Sequence, residues 1–241
     1  MHDKNSLSNI LFIDLETVPQ FHTFEELPER LKPLWEIKSK RITKDDEEKT
    51  PEQSFFEKAG IYSEFGKIIC ISAGFFRYDE GVLTLRVKAF AGHDEKEILE
   101  DFAGLLNQHF NTSVHRMCGH NGKEFDFPYL SRRMLINGVK LPYILDNSGK
   151  KPWETPFIDT MELWKFGDIK NYTSLALLAA VFGIPSPKDD IDGSQVADVY
   201  YNKKELERIA VYCNKDVITT ARLYLKLTQA GDVLDENVIA L

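Results

Sequence analysis

The 241-residue chain has little cysteine: three residues, Cys70, Cys118 and Cys213, lie far apart with no Cys-x-x-Cys pair. That excludes a disulfide framework and a zinc ribbon, and it fits buried thiols in a reducing compartment, so the expected location is cytoplasmic. Long apolar runs are missing too. None approaches the ~18 residues of a membrane-crossing helix, and the first, Leu11-Phe12-Ile13, breaks at Asp14, so neither a span nor a signal peptide is expected. There is no internal repeat and no Gly-, Pro- or Ser-rich linker, which predicts a single domain over residues 1–241. Basic charge is scarce: 30 Lys and Arg against 38 Asp and Glu leave a formal charge of −8. A protein that grips a polyanion by charge alone would be basic. Any such contact here must be local, or carried by cations lodged among carboxylates.

What is present is a chain that is 43% hydrophobic, enough for a sizeable core. A β-rich apolar run at 10–13, closed by Pro19, predicts a buried strand. Phe24, Leu27, Leu31, Leu34 and Trp35 form a helical stripe over 24–39, interrupted by two prolines. The charge run at 44–49 predicts a solvated loop, and Thr50-Pro51-Glu52-Gln53 predicts a helix start with a capping box. The stretch at about 22–62 therefore looks like a helical and charged insertion, expected to be the loosest part of the fold. Strands at 67–76 and 83–91 flank a turn at 78–81 and predict an antiparallel hairpin. Asp94 should cap a helix running to about Phe110. Short strands are predicted at 114–118 and 157–158, and helices at 127–137, 174–182, 196–200 and 204–227. The expected class is α/β: a mixed sheet of about five strands, one antiparallel, flanked by helices.

Three signals carry chemistry. Asp14-Leu15-Glu16 puts two carboxylates on one face of a strand, directly after an apolar run where charge needs a partner or a metal; a strand end reaching solvent is the plainer alternative. Asn121-Gly122-Lys123-Glu124-Phe125-Asp126 follows a strand and precedes a helix. Asp126 could serve that helix as N-cap, and the two roles are compatible. Tyr212 and Asp216 stand four residues apart in the last helix, beside its apolar stripe of Leu206, Ile209, Cys213, Val217, Thr220, Tyr224 and Leu227. A salt bridge to a nearby Lys or Arg would account for Asp216 equally well. Cys213 is expected in the core.

In this order and setting the three segments resemble the three exonuclease motifs of the DEDD 3′–5′ exonucleases, a ribonuclease H-like superfamily, over about residues 11–227. The segment 119–130 is most similar to the second motif of family B DNA polymerase editing domains. The stretch from Ile158-Asp159-Thr160 through Asp192-Gly193-Ser194-Gln195 is similar to stand-alone bacterial exonucleases related to them. The resemblance implies Asp14, Glu16, Asp126 and Asp216 as the four acids and Tyr212 as the mark of the tyrosine subtype; the histidine subtype's position, five before the last acid, is Val211 here. It also implies two Mg²⁺ or Mn²⁺ ions, with Asp14 bridging both, Glu16 and Asp216 holding the first, Asp126 supporting the second, and Tyr212 orienting the attacking water. Such ions suit four clustered carboxylates, which cannot all ionise unaided.

The implied substrate is a single-stranded or frayed 3′ end of nucleic acid, DNA ahead of RNA. Thr17 and Asn121 would touch the terminal nucleotide, and Phe125 would stack on a base or fill core. The alternatives are an inactive nuclease-fold binding module, an exoribonuclease, or a phosphohydrolase lidded by the insertion. Lys38, Lys40, Arg41, Lys44, Arg132 and Arg133 read as solvated charge. Asp159 reads as a site-edge or structural residue.

Overall fold

The computed structural model describes residues 7–43, 49–168, 172–185 and 191–241. The central feature is one six-stranded sheet in the order β5-β4-β1-β2-β3-β6. Its strands are β1 (Ile10–Pro19), β2 (Gly66–Asp79), β3 (Val82–Ala91), β4 (Arg116–Gly119), β5 (Phe157–Asp159) and β6 (Val238–Ala240). β2 runs antiparallel to both its neighbours, β1 and β3, while the other adjacent pairs are parallel. The expected single antiparallel strand is therefore β2, but the strand count is six, not five. β6 is only Val-Ile-Ala, too short for period-two alternation to show, and it forms by pairing with Leu85–Val87 of β3. No helix among the described residues is long and apolar enough to cross a membrane.

The seven main helices are α1 (Lys32–Ile42), α2 (Pro51–Lys58), α3 (Glu95–His109), α4 (Asp126–Ile136), α5 (Thr160–Lys165), α6 (Leu175–Phe182) and α7 (Leu206–Thr228). β1 sorts them. Its odd-numbered Leu11, Ile13 and Leu15 join Leu99, Phe102 and Leu106 of α3 and Phe127, Leu130 and Met134 of α4 in one core. Its even-numbered Ile10 and Phe12 pack against Val217, Ala221 and Leu225 of α7, and Val18 packs with Ile209 and Cys213 of the same helix. The period-two rule places Asp14 and Glu16 on that α7 face, between Phe12 and Val18. The β1–β2 register then slips between Glu16 and Thr17, a β-bulge just past the two acids.

The insertion departs from expectation in its helix. Pro28 and Pro33 delay α1 to Lys32, so Leu34 leaves the stripe and is 53% exposed, while Trp35 is fully buried. Trp35 joins Phe24, Leu27, Phe55, Ala59 and Phe65 in a separate small core, and its indole N–H donates to the Pro51 carbonyl at 2.8 Å. The capping box of Thr50 and Gln53 forms as the sequence predicts. The described part of the insertion is thus packed rather than loose; residues 44–48, with Lys44 and most of the charge run, lie outside the described residues. Gly60 seats the insertion on the sheet. A Cβ there would stand 3.1 Å from Val18 Cα, and its carbonyl accepts the Tyr129 hydroxyl at 2.7 Å.

Arg133 is another correction. It is 1% exposed and forms a bidentate ion pair with Glu95 at 2.5 and 2.8 Å, whereas its neighbour Arg132 is exposed as expected. Asp94 caps α3 through the N–H groups of Lys96 and Glu97.

Candidate active site

α7 carries the third signal as its periodicity foretold. Ile209, Cys213, Val217, Thr220 and Tyr224 are buried, while Tyr212 and Asp216 flank that stripe half-buried, and the Tyr212 hydroxyl hydrogen-bonds the Asp216 carboxylate. Opposite them on β1 stand Asp14 and Glu16. The Cys213 thiol lies 3.4 Å from both the backbone oxygen and Oδ2 of Asp14, so this core cysteine also touches the acid. The fourth acid arrives from the other side. Asp126 opens α4 but is not its N-cap: Phe125 holds that position, and no side chain caps the helix. Its carboxylate instead accepts the backbone N–H of Leu15 in β1, between the first two acids. All four acids and Tyr212 line one cleft of about 370 Å³.

The electrostatics of the cleft are those of an unneutralised anion cluster. Burial, then repulsion from Glu16, Asp126 and Asp216, holds Asp14 well above the usual carboxylate range. Burial and Asp216 do the same to Glu16. Asp126 is pushed up to about 7, chiefly by burial, with Asp159 and Asp216 adding to it. Burial and the three acids Asp216, Glu16 and Asp14 raise Tyr212 as well, so its phenol stays protonated. No Lys or Arg lines the cleft among the described residues. Ligand atoms of Asp14, Glu16 and Cys213 fall within 4.8 Å of one another, a spacing that one cation could bridge. An oxygen-rich, anionic donor set fits hard divalent ions.

Of the expected substrate contacts, all three reach the cleft, with different commitments. Thr17 also hydrogen-bonds Tyr129. Asn121 adopts a left-handed φ of 60°, and its Oδ1 is buried with no hydrogen-bond partner among the described residues. Phe125 packs on the core and against Tyr129, centroids 5.2 Å apart, and also edges the cleft. Sequence reasoning missed His120, Tyr172, Ser194 and, from the insertion, Phe56 and Ile61, which also line it. His120 and Ser194 are among the residues that carry the family resemblance, whereas no local pattern marks Tyr172, Phe56 and Ile61, which reach the cleft only through the fold. Away from the cleft, His93 hydrogen-bonds the Tyr200 hydroxyl at 3.0 Å.

A mixed sheet whose inner strand ends in acids, faced by a helix bearing Tyr212 and Asp216, defines a fold of the polymerase editing-exonuclease type. Residues 61–240 match a family described as predicted 3′–5′ exonucleases related to the exonuclease domain of PolB, and the chain belongs to that family. The matched segment holds Asp126, Tyr212 and Asp216; Asp14 and Glu16 lie ahead of it, across the insertion.

Among curated relatives, DNA polymerase 1 of Pyrococcus abyssi is 30% identical over 182 residues, 66% of this chain and 22% of the polymerase. A DNA polymerase of Pyrococcus glycovorans is 29% identical over 141 residues, 54% and 18% of the two chains. The chain thus spans about a fifth of the length of these relatives. The solved family B DNA polymerase of Pyrobaculum calidifontis shares the fold, with a TM-score of 0.52 and 15% identity over 90% of this chain and 24% of that one.

Proposed function

We propose that the protein removes nucleotides from the 3′ end of single-stranded or frayed nucleic acid, DNA ahead of RNA, by phosphodiester hydrolysis with two Mg²⁺ or Mn²⁺ ions. One observation carries the reading: four carboxylates from β1, the α4 start and α7 converge on one cleft, where the described lining residues include no Lys or Arg. Membership of a 3′–5′ exonuclease family and relatives that are DNA polymerases support the reaction and the preference for DNA. Asp14, Glu16, Asp126 and Asp216 would hold the ions. When bound, such ions make water a nucleophile at neutral pH and offset charge on the leaving 3′-oxygen.

The chain's own residues do the rest. Tyr212, whose phenol stays protonated and so cannot act as a base, donates to Asp216 and orients the attacking water by accepting a hydrogen bond from it. Thr17 and Asn121, which both line the cleft, contact the terminal nucleotide. Phe125 offers an aromatic surface to a base. Three buried free thiols suit a reducing compartment such as the cytoplasm.

The test uses 5′-labelled DNA and RNA oligonucleotides with Mg²⁺. Stepwise shortening from the 3′ end that stops with EDTA is expected, and activity persisting in excess chelator overturns the metal assignment. A protein that binds the strands without cutting them is instead a binding module. Tyr212→Phe keeps the ring and removes the hydroxyl's bonds to Asp216 and to the water, so turnover should fall about 10- to 10³-fold with little change in strand affinity. A Tyr212→Phe enzyme as fast as the parent would show that the tyrosine only fills space.

A further inference from the structure

Asp159 ends the edge strand β5, where the register sets it beside Gly119 of β4. Its carboxylate is 2% exposed and so must be satisfied from within the protein. As N-cap of α5 it accepts the Met161 N–H at 2.9 Å. Capping needs no more than that, yet two further bonds reach across to another element. Oδ1 also accepts the Asn121 N–H at 3.0 Å, and Oδ2 accepts the Lys123 N–H at 3.1 Å. The Lys123 ammonium pairs elsewhere, with Glu162 at 2.6 Å, so it is the backbone of the loop that Asp159 holds.

The next residue extends the grip. Thr160 Oγ1 lies 2.8 Å from His120 Nδ1, and His120 Nε2 lies 2.8 Å from the Thr173 carbonyl. A carbonyl can only accept, so Nε2 carries the proton and Nδ1 accepts the Thr160 hydroxyl. Residues 120, 121 and 123 are thereby tied to two consecutive residues of the neighbouring strand end. This loop delivers Asn121 and Phe125 to the cleft and leads directly into Asp126.

We propose that Asp159 is a positioning residue of this site: it fixes the backbone of the 119–126 loop so that Asp126 faces Asp14, Glu16 and Asp216. The proposal rests on the metal-site reading above. Asp94 supplies the control, since it caps α3 through two N–H groups of that helix's own first turn, and it does not line the cleft.

Asp159→Asn replaces one acceptor oxygen with a donor that faces another donor. Mn²⁺ affinity of the folded variant, titrated by electron paramagnetic resonance without substrate, should weaken about 10- to 100-fold, the range seen when a partner behind a metal ligand is lost. Turnover on a short oligonucleotide should fall over the same range while KM moves less. Asp94→Asn should lower thermal stability but leave Mn²⁺ affinity and turnover within about twofold of the parent. Where Asp159→Asn does not fold, Thr160→Val removes the His120 bond with little change of shape and carries the same two measurements. Parental Mn²⁺ affinity and turnover in the folded variant overturn the proposal. A parent that binds Mn²⁺ but cuts no nucleic acid defeats the exonuclease reading alone, and a parent that binds no Mn²⁺ defeats both.

Discussion

Asp14→Asn and Asp216→Asn should each lower the rate of nucleotide release by at least ~10³-fold while leaving the chain folded, because each removes a negative ligand from a site built on electrostatics. The neutral amide keeps the shape, so the loss belongs to charge rather than packing. The same substitutions should raise the melting temperature of the chelated protein. Asp14 is repelled by three other acids in a buried site, against which the hydrogen bond from the Cys213 thiol is the smallest of the effects acting on it. Calorimetry in EDTA and single-turnover assays in Mg²⁺ read the two effects separately. A rate loss below tenfold at either position means that the acids are misassigned.

The repulsion also fixes the sign of the pH dependence. An aspartate in the unfolded chain ionises near 3.9, whereas folded Asp126 is held up to about 7. Between those values the folded protein keeps a proton that the unfolded chain has released, so stability falls as pH rises. Asp14 and Glu16, raised as well, push in the same direction. In EDTA the melting temperature should therefore drop from about pH 4 to above pH 7. Added Mg²⁺ should restore it most at the high end, where the carboxylates are free to bind and binding to the folded state stabilises it. A chelated melting temperature that climbs over this range would falsify the picture of a strained, ion-hungry cluster.

The acids were legible in the sequence because their placement follows from short-range periodicity. A strand alternates, so Asp14 and Glu16 must share a face. A helix repeats every three to four residues, so Tyr212 and Asp216 must lie beside Cys213. The caps at Thr50 and Asp94 were legible for the same reason, being contacts within one turn. What stayed hidden depends on partners distant in the chain. Asp126 reads locally as an N-cap, and only the approach of β1 gives its carboxylate the Leu15 N–H. β6 exists because β3 offers it an edge. Asn121 is held by Asp159, 38 residues on, whose carboxylate accepts its backbone N–H. Arg132 and Arg133 are chemically identical in sequence, and one step around α4 separates solvent from core.

That one step supports the largest stability effect expected. Arg133 donates to Glu95 through Nε at 2.8 Å and Nη2 at 2.5 Å, and through Nη1 to the Ser63 carbonyl at 2.8 Å. Glu95 in turn accepts the Ile68 N–H of β2 at 2.7 Å and the Asn137 side chain at 2.9 Å. The two charges thus join α3, α4 and β2 at a point that is 1% and 7% exposed. Arg133→Met leaves Glu95 buried without its counter-charge and should cost about 3–5 kcal/mol in urea unfolding. Arg132→Met, on the exposed face, should stay within about 0.5 kcal/mol. Adding Glu95→Gln to Arg133→Met should recover part of the loss, because the uncompensated charge is then gone, although Ile68 and Asn137 must share a neutral acceptor. The acids of the cleft are untouched by these changes, so turnover of the folded fraction should hold while heat resistance falls. Equal costs for Arg132→Met and Arg133→Met would mean that the buried pair contributes nothing to seating α4, and with it Asp126, on the sheet.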